Sequence, residues 1–435
     1  MSSNNPEKAP ESALLASTAT VSAGDYVRNY IKRVRSGDLG SLPIVLGLLV
    51  IAIIFQTQNE NYLTARNLVN LMVQMAGYTA IAIGVVYVLL LGEIDLSVGY
   101  VSAVGGVGMT ILLRIPSGDP STWPWYAIFP DGWPWYLAIP AALAVVALIG
   151  LVHGLIVTRF QVPSFVVTLA GFLVWNGVVL IMVGEGGTIV IQDSVAIGIA
   201  SATLPIAWGW VLAAVIIAVY AALEFGQISI RRSRGLATKP LTIVIAQIVG
   251  LGILTSIVVY LTNINRGFGE NVVQGFPVVG VILLILLTVY TFLANRTTFG
   301  RYVYAVGGNT EAARRAGINV DRIRVTVFMI SSFMAGVGGI ILASRLRSVA
   351  TDAGGGNLLL NSIAAAVIGG TSLFGGRGKV ISALLGALVI ASVENGMGLL
   401  GLPSGIKFII TGSVLLLAVL VDSISRRGRA QSGIA

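Results

Sequence analysis

Long apolar stretches separated by short polar ones recur along nearly the whole chain. They lie near 42–57, 67–91, 97–115, 134–158, 163–183, 204–225, 240–262, 277–294, 324–345, 359–374, 380–400 and 405–422. Most approach about 20 residues, the length that crosses a bilayer core of roughly 30 Å as a helix. A membrane barrel would instead read as roughly 10-residue alternating strands. Hydrocarbon offers no water to backbone groups, so each span must pair its own. The pattern predicts an all-α fold, a polytopic transmembrane helical bundle of about twelve spans. The run 359–374 is short and broken by Gly369 and Gly370. A re-entrant segment is the alternative there, and ten or eleven spans would then remain.

Composition agrees with a membrane chain. Of 435 residues, 56% are hydrophobic and 10% charged, against about 25% charged in soluble domains; the mean hydropathy is +0.90. The net charge of +9 is distributed unevenly. With twelve spans and the N-terminus inside, the inner segments hold Arg28, Lys32, Arg33 and Arg35, Arg159, the cluster within 231–239, the group from Arg296 to Arg324, Arg377, Lys379 and the Arg426, Arg427, Arg429 tail. The outer segments hold only Arg66, Arg114, Arg266, Arg345, Arg347 and Lys407. Basic residues stay in cytoplasmic loops, so both termini are expected in the cytoplasm of a cell (inner) membrane protein. This placement accounts for the charge without nucleic acid as a partner. Residues 1–40 then form a cytoplasmic N-terminal segment. Within it, 25–36 reads either as an interfacial helix, with Val27, Tyr30, Ile31 and Val34 on one face, or as a disordered basic leader. Residues 41–425 form the transmembrane domain, and 426–435 a cytoplasmic tail.

The chain has no Cys and a single His, His153. That excludes disulfides, thiolate metal sites and Cys nucleophiles, and one His does not build a zinc site. No metal or other cofactor is expected. The 116–136 loop carries Trp123, Trp125, Tyr126, Trp133, Trp135 and Tyr136. It reads as an external loop at the membrane interface, or alternatively as a platform on which a ring-shaped ligand stacks. Glycine is abundant, with 53 copies, and small residues allow close helix packing in lipid. Residues 74–108 and 361–398 share a design of apolar helix, Gly-rich polar loop and second Gly-rich helix, a weak sign of an internal repeat.

Motifs for nucleotide chemistry fail. Leu373 stands where a phosphate loop needs its first Gly, and Val380 follows Lys379 where Ser or Thr is required. No catalytic residues are assigned, and ATP hydrolysis is expected on a separate chain. The loop 295–323 is more informative. Asn309 or Thr310 can cap a short helix from about Glu311, and Gly317 can end it. The product is a short, basic, Ala-faced helix outside the membrane, suited to docking on a partner or else a solvated connector.

Glu311, Ala312 and Ala313, with Gly317 four residues later, resemble the start of the EAA loop of ABC-importer permeases; the later Ile-x-Leu-Pro portion is absent. Gly92-Glu93-Ile94-Asp95-Leu96-Ser97-Val98-Gly99, Phe299-Gly300-Arg301 with Gly307-Gly308-Asn309 and Gly317-Ile318, and Ala364 to Gly378 together resemble the ribose/xylose/arabinose/galactose permease family. The resemblance covers about 60–425. Glu93 stands where that family more often has Gly. The basic loop 231–239 with its flanking spans is similar to the xylose-type members. The resemblance implies a permease domain at 41–425 and a pentose such as D-xylose as leading cargo, with another sugar or a nucleoside as the alternative. It also implies a docking element at Gly307, Gly308, Asn309, Glu311, Ala312, Ala313, Arg314 and Gly317 for an ATP-binding subunit, within the coupling loop 295–323. It further implies a periplasmic or lipid-anchored sugar-binding protein and a homodimer in the lipid bilayer.

Polar residues within spans are functional candidates. Glu394 and Asn395 line the translocation path, or Glu394 forms a structural ion pair with Arg345 or Arg347. Gln74, Asn176 and Asn361 meet sugar hydroxyls, or hydrogen-bond between helices. His153 reads as a satisfied packing residue. Glu93 and Asp95 are expected to cap and orient the first Gly-rich loop, with Gly92, Ser97 and Gly99; Gly369, Gly370, Gly375, Gly376 and Gly378 shape the second. An ion-coupled secondary transporter is the main rival, and it would need more acids at mid-membrane depth. A membrane enzyme finds no triad or acid pair in its support.

Overall fold

The computed structural model describes Gly24, Arg28 and residues 42–114, 128, 131–184, 187–267 and 269–431. The 25–36 segment, Arg28 excepted, and Trp123, Trp125 and Tyr126 lie outside the described residues. In chain order the helices are α1 Leu42–Gln58, α2 Ala65–Leu90, α3 Val98–Leu113, α4 Trp135–Arg159, α5 Ser164–Val183, α6 Ser194–Ser201, α7 Ile206–Ser233, α8 Leu241–Asn263, α9 Val278–Arg296, α10 Thr298–Gly308, α11 Thr310–Arg315, α12 Val320–Leu346, α13 Leu358–Ile368, α14 Ile381–Leu399 and α15 Ser404–Gln431. Eight of them (α2, α4, α5, α7, α8, α9, α12 and α14) are long and apolar enough to cross a membrane. Helices α1, α3, α13 and the stretch Ser404–Val414 are shorter apolar helices. The fold is an all-α, multi-pass membrane bundle.

Each apolar run coincides with a helix, with differences that have physical causes. Helix α7 continues to Ser233, well past the apolar run 204–225. No Pro falls between Pro205 and Pro240, and Arg231 and Arg232 in its last turn complement the helix dipole. The run 359–374 yields only the 11-residue helix α13. The chain leaves that helix at Gly369, where Gly370 takes a φ of +98°, and the amides of Gly370 and Thr371 bond back to Val367 and Ala366. At 1.5 Å per residue α13 is about half a bilayer long. Three elements had no clear apolar signature: α6, capped by Asp193; α10; and a two-stranded antiparallel ribbon, β1 Thr188–Val190 with β2 Ser348–Ala350.

The chain divides into two compact units. One contains the α7–α8 hairpin, Leu204–Phe276. Gly209 lets α7 approach Val259 of α8. Lys239 pairs with Glu224 at 2.9 Å, and the Arg266 guanidinium donates to the carbonyls of Thr262 and Gly275. Most side chains of this hairpin are exposed and apolar, as lipid contact requires.

The second unit contains Gly40–Thr203 and Pro277–Arg427 and is organised around α12. Asn319 caps α12 by accepting from Arg322 N at 2.9 Å, and Asp321 sits in the first turn. Helices α2, α3 and α4 pack on it. Glycines set the closeness: a Cβ on Gly105 would stand 2.7 Å from Gly336 Cα, and one on Gly106 would stand 2.9 Å from the Gly339 carbonyl oxygen. Small residues thus permit backbone contact where lipid gives no hydrophobic drive to associate. A second group joins α2 to α13 and α14, with α1 against α14.

Helix α3 begins inside the bundle. Ser97 lies against Gly171, which is seven residues into α5 and so about 10 Å from its start. The 351–357 segment approaches the same level from the other side, where a Cβ on Gly99 would stand 2.8 Å from the Gly354 carbonyl oxygen. Non-helical backbone at such depth is tolerated only where protein buries it. The proposed repeat halves place their loops together, but their helices are unequal: 26 and 16 residues in the first, 11 and 19 in the second.

Candidate functional site

A polar column runs along the contact of α2 with α13 and α14. Thr64 caps α2 by accepting from Asn67 N at 3.4 Å. Asn67, Gln74 and Tyr78 recur at intervals of seven and four residues, so they share one helix face. Asn67 Nδ2 donates to Asn395 Oδ1 at 2.7 Å, and Asn395 Nδ2 donates back to Asn67 Oδ1 at 3.0 Å. Asn395 Nδ2 also reaches Gln74 Oε1 at 3.4 Å. Further along, Asn361 Nδ2 donates to Glu394 Oε1 at 2.5 Å. The Tyr78 hydroxyl faces the same carboxylate, and the charges of Arg345 and Lys407 act on it. Among the described residues Glu394 forms no ion pair within 4.0 Å with Arg345 or Arg347, which corrects that alternative.

Four of the five path candidates, Gln74, Asn361, Glu394 and Asn395, therefore meet in one column. Asn176 does not; it is half-buried on α5 and takes part in none of these bonds. Sequence reasoning missed Asn67 and Tyr78. Their spacing from Gln74 was the available signal, but a helix face has no partner until the fold supplies one.

The second feature is a glycine junction. Gly376 N donates to the Leu90 carbonyl at 2.9 Å. A Cβ on Gly307 would overlap that same carbonyl oxygen and stand 2.8 Å from Gly376 N. A Cβ on Gly375 would stand 2.7 Å from the Gly307 carbonyl oxygen and 3.0 Å from Gly92 N. Gly308 borders Gly376, and Tyr304 donates its hydroxyl to the Gly378 carbonyl at 2.9 Å. Burial pushes the Tyr304 hydroxyl above its ordinary pKa, so it remains a donor there. The three motif segments, far apart along the chain, converge here.

Helix α11 projects from this junction. Asn309 caps it, accepting from Ala312 N at 2.9 Å, as expected from the sequence. Ala313 is buried, whereas Glu311, Ala312 and Arg314 are exposed, with Glu311 and Arg314 paired at 2.5 Å. At its end Gly317 N bonds to Arg314 O at 3.0 Å and Ile318 N to Ala313 O at 3.1 Å. This is the paired closure that a left-handed residue permits, and Gly317 has φ +83° with open space beside it.

A third set of polar groups pins the 92–97 loop. Glu93 pairs with Arg324 at 3.0 Å. Asp95 Oδ1 accepts from Ser97 N at 3.0 Å and Ser97 Oγ at 2.6 Å, while Asp95 Oδ2 accepts from Ser331 Oγ at 2.8 Å. The expected capping is thus refined: no side chain caps α3 at Ser97, and both acids instead fasten the loop to α12. Trp175 Nε1 donates to His153 Nε2 at 3.2 Å, and His153 Nδ1 lies 3.3 Å from Ser97 Oγ. His153 is therefore a satisfied packing residue. Among the described residues no three His, Asp or Glu side chains gather as a metal site would need.

Residues 67–420 match the profile of a family described as the branched-chain amino acid transport system / permease component. The chain belongs to this permease family. The xylose transport system permease protein XylH of Escherichia coli (strain K12) is 35% identical over 399 residues, covering 90% of this chain and 94% of the relative. Its counterpart in Haemophilus influenzae is 34% identical, covering 91% and 99%. The ribose import permease protein RbsC of Bacillus subtilis (strain 168) is 30% identical, covering 89% and 94%. No solved structure matches significantly. The resemblance read from the motifs holds: this is an ABC-importer permease of the ribose/xylose type, a multi-pass inner-membrane transport subunit and not an enzyme.

Proposed function

We propose that this permease forms the path through which a pentose, D-xylose first among them, is imported at the cost of ATP hydrolysed on a separate subunit. The convergence of three motif segments on one glycine junction, with α11 exposed beside it, carries this reading. The ATP-binding subunit docks on α11 and the adjoining end of α10. Its movement reaches α2 through Leu90 and the 369–380 loop through Gly376. A periplasmic or lipid-anchored sugar-binding protein delivers cargo to the opposite face. Two copies of the chain surround the path, since one docking element per chain suits a symmetric pair. The polar column at Gln74, Asn361, Glu394 and Asn395 lines part of that path.

Reconstitution tests the cargo. Vesicles holding the permease with its ATP-binding subunit and binding protein should accumulate D-xylose in an ATP-dependent way. Accumulation driven by a proton or sodium gradient without ATP would instead establish secondary transport.

We further propose twelve crossings. In this arrangement α13 together with the non-helical 351–357 makes one crossing, and both termini lie in the cytoplasm. Reporter fusions at residues 5 and 432 should both read cytoplasmic. A periplasmic reading at 432 would remove the crossing at 351–368.

A further inference from the structure

Three polar side chains meet where α2, α13 and α14 come together. Glu394 takes its hydrogen bond from Asn361 Nδ2 at 2.5 Å, and the Tyr78 hydroxyl stands against both groups. An ionised carboxylate only accepts, so the Asn361 amide must turn its NH2 towards Glu394. The carbonyl Oδ1 then faces elsewhere. Asn361 is fully buried, yet Oδ1 has no hydrogen-bond partner. Buried polar atoms are nearly always paired, and an orphan needs a reason.

The position of the trio supplies one. Glu394 lies thirteen residues beyond Ile381, the start of α14, and Tyr78 the same distance beyond Ala65, the start of α2. Tyr78 is therefore about 20 Å into α2, near its middle, whereas Glu394 stands about 8 Å from the Leu399 end of α14. On one side the polar column continues through Gln74 and Asn395. On the other, α13 and α14 close backbone to backbone: a Cβ on Gly386 would overlap the Ala365 carbonyl oxygen, and one on Gly369 would overlap that of Ser382. The trio thus stands between the polar column and a dry seam.

Its chemistry is selective. Asn361 Oδ1 is an acceptor awaiting a donor, the Glu394 carboxylate can accept several hydrogen bonds, and Tyr78 can act either way. An anion would be repelled by the carboxylate. A neutral molecule bearing several O–H groups supplies what is missing.

We propose that Tyr78, Asn361 and Glu394 form a transient stop that holds the hydroxyl groups of a neutral polyol cargo before the α13–α14 seam opens. This rests on the import reading above and specifies where, and by which hydroxyl contacts, the permease itself grips its cargo.

The test is a cycle between side chain and ligand. The full importer, in vesicles with its binding protein, is assayed for uptake kcat/KM with D-xylose and with each of its mono-deoxy forms. Wild type, Glu394→Gln and Tyr78→Phe are compared. The binding protein is common to all, so its own preference cancels in the ratio of ratios. For at least one hydroxyl, wild type should lose about tenfold on deoxygenation, the scale of one hydrogen bond to a charged group. That penalty should shrink below about threefold in Glu394→Gln, with a smaller reduction in Tyr78→Phe. Two outcomes overturn the proposal. If every deoxy penalty is unchanged in both variants, the trio is merely structural while the import reading stands. If wild type takes up no pentose at all, the import reading fails, and the stop fails with it.

Discussion

Gly317→Trp should abolish ATP-driven sugar uptake while the permease stays in the membrane at close to its normal abundance. Gly317 lies outside every apolar span and has open space beside it, so the new Cβ meets nothing within the chain. Its φ of +83° carries a local cost for any other residue, about 1–2 kcal/mol for an L side chain. That strain falls on the closure of α11, a six-residue element, and not on the packed bundle. What the indole does occupy is the surface next to Glu311, Ala312 and Arg314, where the ATP-binding subunit docks in our reading. Uptake should fall by at least about thirtyfold if docking is blocked, since hot-spot losses at interfaces exceed about 2 kcal/mol and reach several. Co-purification of the ATP-binding subunit should fall in parallel. Gly317→Ala separates strain from bulk: it imposes the same backbone cost with little volume, and should retain partial uptake. Normal uptake and normal subunit association in Gly317→Trp would make α11 a solvated connector and remove its docking role.

Gly307→Val should have the opposite phenotype, loss of the permease itself. The two glycines are ten residues apart, but their surroundings differ completely. A Cβ on Gly307 would overlap the Leu90 carbonyl oxygen and crowd Gly376 N, both backbone atoms. Flexible side chains could move aside; these atoms are held by the 2.9 Å bond from Gly376 N to Leu90 O. Overpacking costs typically about 1–3 kcal/mol even against side chains, and the penalty here should lie at or above that range. Against a total stability of about 5–15 kcal/mol, abundance should fall several-fold. Membrane fractionation with immunoblotting, alongside thermal unfolding of the purified chain in detergent, checks this. A normally abundant Gly307→Val protein with an unchanged Tm would show that the α10 end does not sit on Leu90.

The positions of the helices were legible because hydrocarbon leaves so few choices. A long apolar run in a chain with 10% charged residues must pair its own backbone, and a helix is the local way to do that. For the same reason the α11 cap and closure could be read from Asn309 and Gly317: both depend on backbone groups within a few residues. The motif resemblance, carried by segments that a family profile also matches, identified the permease class before any contact was known.

Other features depend on what stands opposite in space. The run 359–374 reads as a short span or a re-entrant segment, and only the approach of Gly354 to Gly99 shows that the non-helical backbone before α13 packs on α3. Asp95 looked like a local cap; its second oxygen is claimed by Ser331, 236 residues away. Glu394 could have met Arg345, Arg347 or neither, since nothing in a linear order says that Asn361 is the side chain 2.5 Å away. The β1–β2 ribbon joins residues about 160 positions apart, and neither three-residue strand carries a periodic signal long enough to read. The sequence by itself determined what depends on solvent and near neighbours: helices, caps, membrane residence and family. The tertiary structure decided what depends on distant partners, namely which polar groups share a column and which glycines must stay glycine.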